Sequence, residues 1–325
     1  MQKVKFGIIG YGKIGKRYEQ LLMEIEQAEL VAIVDPLVEK SEYNSLLLKE
    51  INELFQYKLD IVVIATPNGL HEAHAVKVLS AGYHVIIEKP MALSKLSCEH
   101  ILQTAFNHNK QVFCVMQNRF SPISKWLKMI VDKGILGKIY FVQTNLFWNR
   151  DDRYYTNEGW QGTKDLDGGI LFTQFSHFVD MIYWLFGDLK NITSKVYNFA
   201  NRSHSELEDT GIAYFDFIKG GSGTIQYSTA LYEKNLESTL TIIAEKGTIK
   251  VAGQYMDEVV FSTITGDNSF ESISSGSKNI PNINHKKVIK NAIEVVQGKS
   301  AIAVNALDGM KVVEIIEKMC RMEIG

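Results

Sequence analysis

The sequence predicts an α/β protein of two domains, a parallel sheet wrapped by helices and then an α+β domain with a large open mixed or antiparallel sheet. Three observations predict it. A glycine-rich turn, residues 10–15, separates a strand pattern from a helix pattern near the start of the chain. Short β-branched runs then alternate with amphipathic stretches up to residue 118, as in a parallel sheet covered on both faces. Beyond that point strands follow strands, which indicates antiparallel or mixed pairing.

Val4–Gly10 reads as a buried strand, and Ile14–Gln27 has helical periodicity. Leu30–Val34 and Asp60–Ala65 are further strands, and a helix signal runs through His71–Ala81. Tyr83–Ile87 and Val112–Met116 complete the first set. The stretch from Asp35 to Asp60 is short for this architecture, so either its helix is nearly absent or the sheet is abbreviated there. In the second domain Ser124–Lys133 reads as a helix and Ile139–Asn145 as a strand. A polar loop, Arg150–Gly168, precedes a long apolar helix, Leu171–Phe186. Strands follow at Thr210–Ile218, Gly223–Ala230, Ser238–Ala244, Gly247–Val251 and Glu258–Ser262. Gly266–Gly276 reads as an exposed loop, and Val304–Met322 as a helix.

With 325 residues, the chain is long enough for two cores. Its 35 basic and 37 acidic residues give a net charge of −2, which argues against a broad nucleic-acid surface. No segment reaches the ~18 uninterrupted apolar residues of a membrane span, and no separate cleavable apolar region opens the chain. A cytoplasmic protein is the expectation. Cys98, Cys114 and Cys320 form neither a metal-spaced pair nor a disulfide framework, so no metal site is expected.

The turn Gly10-Tyr11-Gly12-Lys13-Ile14-Gly15 has the context that a dinucleotide fingerprint requires, after a strand and opening a helix. Gly10 permits the tight turn, Gly12 lets a pyrophosphate approach the backbone, and Gly15 allows close packing of helix and strand. The helix N-terminus supplies N–H groups and partial positive charge to the phosphates. Asp35, at the end of the next strand, suits the ribose hydroxyls and would repel an added phosphate, favouring NAD over NADP. These features make the first domain, residues 1–118, an expected Rossmann domain.

Two more segments make the reading specific. Ile64-Ala65-Thr66-Pro67-Asn68, followed by His71, and Glu88-Lys89-Pro90 each end a strand. Both resemble hallmark segments of the Gfo/Idh/MocA oxidoreductases. The resemblance implies that Thr66, Pro67, Asn68, His71 and Glu88 line the cofactor cleft and that Lys89 reaches the reacting centre. It further implies a substrate-binding and oligomerising domain, 119–303, and a final helix, 304–325, that returns to the Rossmann domain. Homodimers or homotetramers through the open sheet are expected on the same ground.

In the second half, Phe147-Trp148-Asn149-Arg150, Tyr154-Tyr155, Trp160-Gln161-Gly162-Thr163, Asp167-Gly168-Gly169, Gln174-Phe175-Ser176-His177 and Lys234-Asn235-Leu236-Glu237 occur in that order. With Ile242–Val251 they resemble the UDP-N-acetyl-2-amino-2-deoxyglucuronate dehydrogenases. That branch oxidises a sugar 3-hydroxyl in making surface-polysaccharide sugars, lipopolysaccharide among them. Some related enzymes reoxidise bound reduced cofactor with a 2-oxo acid. Inositol-type members carry an Asp four residues before the catalytic His, where this chain has Thr173, which counts against an inositol dehydrogenase.

Oxidising an alcohol with NAD needs a base for the hydroxyl proton, and Lys89 and His177 are the two candidates. The reading favours Lys89 as base with His177 as its partner; the reverse assignment stays open. Asp180, one turn beyond His177, either orients the imidazole or serves packing. A UDP-sugar acid is anionic, so Arg119, Arg150, Arg153, Lys164 and Lys234 are candidate cations. Trp148, Tyr155 and Trp160 could stack on a sugar or uracil face, or be core aromatics. Gln174 is a candidate hydroxyl or carboxylate ligand. Two other readings stand beside this one: a dehydrogenase of a free sugar, polyol or other glycoside, and a non-catalytic NAD-binding regulator.

Overall fold

The structure is a computed structural model, described over residues 3–156, 159–200, 202, 204–266 and 281–320. It contains two compact units, residues 1–116 with 285–313 and residues 117–284 with 314–325.

The first unit runs β1 (Val4–Ile9), α1 (Lys13–Glu24), β2 (Ala28–Val34), β3 (Leu47–Leu48), α2 (Ile51–Leu54), β4 (Ile61–Ile64), α3 (His71–Ser80), β5 (His84–Ile87), α4 (Lys95–Asn107) and β6 (Val112–Cys114). Its described strands form one sheet in the order β3-β2-β1-β4-β5-β6, with every pair parallel. Ile61, Val62, Val63 and Ile64 are all fully buried, because helices on both faces leave a central parallel strand no solvent side. The chain winds outward from β1 in one direction, then restarts at β4 in the other. The carboxyl ends of β1 and β4 therefore flank the switch point, where open α/β sheets bind ligands.

The short stretch after Asp35 resolves both ways at once. β3 is two residues long and pairs with Ile33 and Val34, and α2 is a single turn. A capping box between Glu50 and Glu53 starts that turn.

The second unit runs α5 (Pro122–Asp132), β7 (Ile139–Phe147), α6 (Ile170–Thr173), α7 (Ser176–Phe186), β8 (Leu189–Tyr197), β9 (Thr210–Phe217), β10 (Ser222–Ser228), β11 (Glu237–Ala244), β12 (Gly247–Ala252) and β13 (Glu258–Ile264). Its described strands lie in the order β13-β12-β11-β7-β10-β9-β8. β7 and β10 are parallel and the other pairs antiparallel, so the sheet is mixed. One face buries Val142, Leu146, Phe215 and Tyr227, while the other leaves Ile212, Tyr214 and Ile243 exposed.

The helix expected over Leu171–Phe186 is broken into α6 and α7. Phe175 takes φ −113° and ψ 2° and caps α7. Its fully buried ring sits against Trp148, Phe178 and Tyr227. Anchoring that ring in the core interrupts the helical path, and periodicity alone does not register it.

Two further helices close the chain, α8 (Pro281–Val296) and α9 (Ala306–Cys320). From residue 285 to residue 313 they belong to the first unit, where Asn305 bridges to Phe113. Helices α4 and α8 and strand β8 were not expected. Ser94 caps α4 by accepting from the Ser97 N–H, a pattern open to inspection. Residues 267–276 of the expected loop, and the end of the expected tail helix, lie outside the described residues. No described helix is long and apolar enough to cross a membrane.

Candidate active site

The glycine turn in the first unit is built by close approach. Gly10 takes φ +92°, and a Cβ there would stand 2.7 Å from the Ala65 carbonyl oxygen. A Cβ on Gly15 would stand 2.1 Å from the Gly10 carbonyl oxygen. Gly12 differs: a Cβ there would meet nothing within 4 Å. It is the N-cap of α1, with no side-chain cap and no acidic residue in the first turn. Exposed Gly12 and Lys13, half-buried Ile14 and a helix start without an acceptor of its own therefore fit a pyrophosphate.

Tyr11 lies beneath this turn, its hydroxyl donating to Glu19 and accepting from the Glu42 N–H. The Asp35 carboxylate accepts from the Tyr11 N–H at 2.8 Å and from the Leu37 and Val38 N–H groups at 2.9 and 3.2 Å. It ties the end of β2 to the glycine turn. A carboxylate has about four acceptor positions, so capacity remains for a ribose hydroxyl.

At the ends of β4 and β5 the expected residues divide into two kinds. Thr66 and Pro67 are half-exposed, and the Thr66 hydroxyl lies 3.1 Å from His74 Nδ1. Asn68 is buried in the short 3-10 turn 68–70. His71 is fully buried, with Nδ1 2.7 Å from the Pro90 carbonyl and Nε2 2.9 Å from the Thr66 carbonyl. It clamps the two strand-end turns together, and burial pushes its pKa down. Glu88 is also buried: it accepts from the Tyr18 hydroxyl at 2.9 Å and from the Lys89 N–H at 3.2 Å, and His285 lies 3.4 Å away. Burial alone would raise its pKa, but His285, Tyr18 and Lys89 outweigh that and bring it to about 2. His71 and Glu88 thus act from behind, fixing the backbone that presents half-buried Lys89.

In the second unit, half-buried Arg150 and buried Gln174 are joined. Arg150 Nε donates to Gln174 Oε1 at 3.0 Å, and Gln174 Nε2 donates to the Tyr154 hydroxyl at 2.6 Å. The guanidinium lies over the rings of Trp148 and Tyr154, at 4.9 and 5.3 Å. Asn235 Oδ1 accepts from Arg150 Nη1 at 3.4 Å. This is a preorganised cationic site with an amide beside it.

The remaining expected ligands are placed differently. Trp148 is 5% exposed, donates from its indole N–H to Ser238 at 2.7 Å and packs on Phe175 and Phe178, which is a core position. Tyr155 is 4% exposed, and burial pushes its pKa up to about 12. Arg119 donates from Nε and Nη2 to the buried Asp180 carboxylate at 3.0 and 2.5 Å, beneath Trp184. The Asp180 carboxylate thus holds Arg119 in a bidentate pair. Trp160 is half-buried; Arg153, Lys164 and Lys234 are exposed, and Arg153 pairs with Asp151.

Three residues received no role in the sequence reading. Gln117, buried, lies 2.9 Å from His177, Nε2 to Nε2. Asp167 accepts from the Gly162 N–H at 2.8 Å and from the Thr173 hydroxyl, which pins the polar loop to α6. Glu208 accepts from the Ile170 N–H at 3.1 Å, and burial raises its pKa to about 7. Asp167 lay within a quoted motif; Gln117 follows a predicted strand directly and could have been noticed there.

Two family profiles match the chain. Residues 4–116 match the oxidoreductase family with an NAD-binding Rossmann fold, and residues 125–250 match the GFO/IDH/MocA C-terminal domain. The fold is similar to the WlbA dehydrogenase from Bordetella pertussis in complex with NADH and UDP-GlcNAcA. The TM-score is 0.90 at 28% identity, covering 98% of this chain and 95% of that one. It is equally similar to the WlbA dehydrogenase from Chromobacterium violaceum in complex with the same two molecules, with a TM-score of 0.90 at 29% identity over 98% and 93% of the chains. Among curated relatives, the 2,7-anhydro-N-acetylneuraminate hydratase of Mediterraneibacter gnavus is 23% identical over 77% of this chain and 68% of its own. With matched profiles in both halves and a glycine turn that fits a dinucleotide, the chain belongs to the Gfo/Idh/MocA oxidoreductases, and its first unit is an NAD-binding Rossmann domain.

Proposed function

We propose that the chain is an NAD-dependent sugar dehydrogenase that oxidises the 3-hydroxyl of UDP-N-acetylglucosaminuronic acid in surface-polysaccharide synthesis. The observation that carries this reading is the near full-length likeness to two dehydrogenases whose structures hold NADH and UDP-GlcNAcA. The half-buried Arg150, backed by Gln174 and Tyr154, supports it, because an anionic sugar nucleotide needs such a cation.

NAD, when bound, accepts the hydride from the sugar carbon. The chain's own residues supply the rest. The uncapped start of α1 holds the pyrophosphate and Asp35 the ribose. Lys89 takes the hydroxyl proton and His177 orients that hydroxyl. Arg150 and Gln174 bind the anionic part of the substrate, with Lys234 and Trp160 as further contacts. The exposed apolar residues of the second sheet, Ile212, Tyr214 and Ile243, suit a homodimer or homotetramer interface, and the cytoplasm supplies both NAD and nucleotide sugars.

The test is turnover. Purified protein is incubated with NAD and UDP-N-acetylglucosaminuronic acid, with and without 2-oxoglutarate as reoxidant, and the product is weighed by mass spectrometry. A product two mass units lighter than the substrate is expected. Turnover of free sugars or polyols instead would move the assignment to them, and NAD binding without any turnover would mark a regulator.

A further inference from the structure

Tyr11, in the glycine turn of the first unit, is held at both ends. Its backbone N–H donates to the Asp35 carboxylate at 2.8 Å. Its buried hydroxyl donates to Glu19 and accepts from the Glu42 N–H at 2.7 Å. Glu19, on α1 and 0% exposed, also accepts from the Ser45 hydroxyl at 2.5 Å. Burial and the Glu19 carboxylate push the Tyr11 pKa up, so its hydroxyl stays a donor. The segment 36–46, between β2 and β3, is thus tied to the glycine turn and to α1 through Glu42 and Ser45.

We propose that Tyr11 is a positioning residue: by anchoring segment 36–46 to the glycine turn it fixes the Asp35 carboxylate, and so sets a preference for NAD over NADP. This rests on the NAD-binding first unit and not on the identity of the sugar. Asp35 accepts from backbone on both sides, from Tyr11 in the turn and from Leu37 and Val38 in the segment. A carboxylate held between two fixed pieces of backbone does not swing aside. It accepts from a ribose 2′-hydroxyl and repels a phosphate in that place. Were the two pieces free to separate, the carboxylate could turn away. Its bond to the hydroxyl and its penalty against the phosphate would then weaken together.

The cost of this arrangement argues for such a role. Burying the Glu19 carboxylate is expensive, and hydrogen bonds repay it only when they are well made. An apolar pair at positions 11 and 19 would fill the same space without that cost. What the polar pair adds is direction, because the Tyr11 hydroxyl selects one backbone N–H of the segment and Glu19 selects one hydroxyl. At the surface, Lys16 pairs with Glu42 at 3.0 Å and Lys49 with Glu39 at 2.8 Å. Those pairs turn two lysines towards the protein's own carboxylates and away from an added phosphate.

The experiment is a thermodynamic cycle on cofactor binding to the full chain, with no sugar present. Dissociation constants for NAD and for NADP are measured by calorimetry on the wild type, Tyr11→Phe, Asp35→Ser and the double variant. The wild type is expected to bind NAD more tightly. Tyr11→Phe keeps the ring and removes the hydroxyl; it should weaken NAD about five- to tenfold and NADP by no more than about twofold. In the Asp35→Ser background the same substitution should leave the ratio of the two constants where it is, since the carboxylate is the route. Ser45→Ala removes one donor to Glu19 from a half-buried position, and should lower the preference for NAD about two- to threefold. It carries the test if Tyr11→Phe does not fold. A wild type without preference, an equal loss for both cofactors, or an undiminished effect in the Asp35→Ser background overturns the proposal. Because binding needs no sugar, absence of sugar turnover would count against the dehydrogenase reading and leave this result standing.

Discussion

The two units prepare their sites by different means. The first uses backbone: a glycine turn, the start of α1 and strand-end turns tied down by Asp35 and His71. The second uses side chains: Arg150, Gln174, Tyr154, Gln117 and His177 joined by hydrogen bonds. A carboxyl in each, Glu88 buried and Glu208 half-buried, differs too. Glu88 is stabilised as a carboxylate, whereas Glu208 is held near neutrality by burial. A backbone site demands small residues at fixed positions, so it serves one kind of ligand. A side-chain site can be respecified by substitution, which suits a unit proposed to choose the sugar.

The largest effect expected is on the chemistry. Lys89→Ala should lower kcat by about 10²- to 10⁴-fold, the usual worth of a general base. NAD affinity, read by fluorescence titration, should change little. Loss of NAD binding in parallel would make Lys89 a cofactor residue instead.

Glycine substitutions test the backbone half. Gly15→Val forces a clash with the Gly10 carbonyl and should cost about 2–3 kcal/mol in chemical denaturation. Gly12→Ala points into open space, so stability should stay within about 0.5 kcal/mol while NAD affinity drops roughly tenfold. Equal effects of the two on stability would contradict the geometry.

The two carboxyls should respond oppositely to pH. The folded pKa of Glu88 is depressed to about 2, so its contribution is complete above the ordinary 4.5 and is lost as pH falls towards 2. That contribution is about 2–3 kcal/mol. The folded pKa of Glu208 is raised to about 7, so its contribution is complete below 4.5 and is lost as pH rises to 7. It should be smaller, about 1–2 kcal/mol, because the residue is only half-buried. Melting curves from pH 3 to 8 on Glu88→Gln and Glu208→Gln check this; each should flatten only its own limb.

The smallest effect expected is on substrate affinity. Arg150→Lys keeps the charge but removes the planar fork, and should raise KM for the nucleotide sugar about tenfold with kcat nearly unchanged. A fall in kcat alone would place Arg150 nearer the chemistry.

The same contrast explains what could be read from the sequence. Gly10, Gly15 and Asp35 were legible because a tight turn and a strand end impose residue type at fixed spacing. In the second unit, Arg150 and Gln174 came into view through ordered motifs, but their mutual hydrogen bond did not, since they are 24 residues apart. Gln117 meets a partner 60 residues away, a pairing that no local pattern encodes. The break between α6 and α7 was hidden for the same reason, being set by where the Phe175 ring packs.

The most direct test of the central claim follows the transferred hydrogen. UDP-N-acetylglucosaminuronic acid carrying deuterium at sugar carbon 3 is mixed with the protein and NAD, and the reduced cofactor is analysed by mass spectrometry. Deuterium in the reduced nicotinamide is the predicted result. Reduced cofactor free of deuterium, or none formed while another sugar turns over, would contradict the assignment.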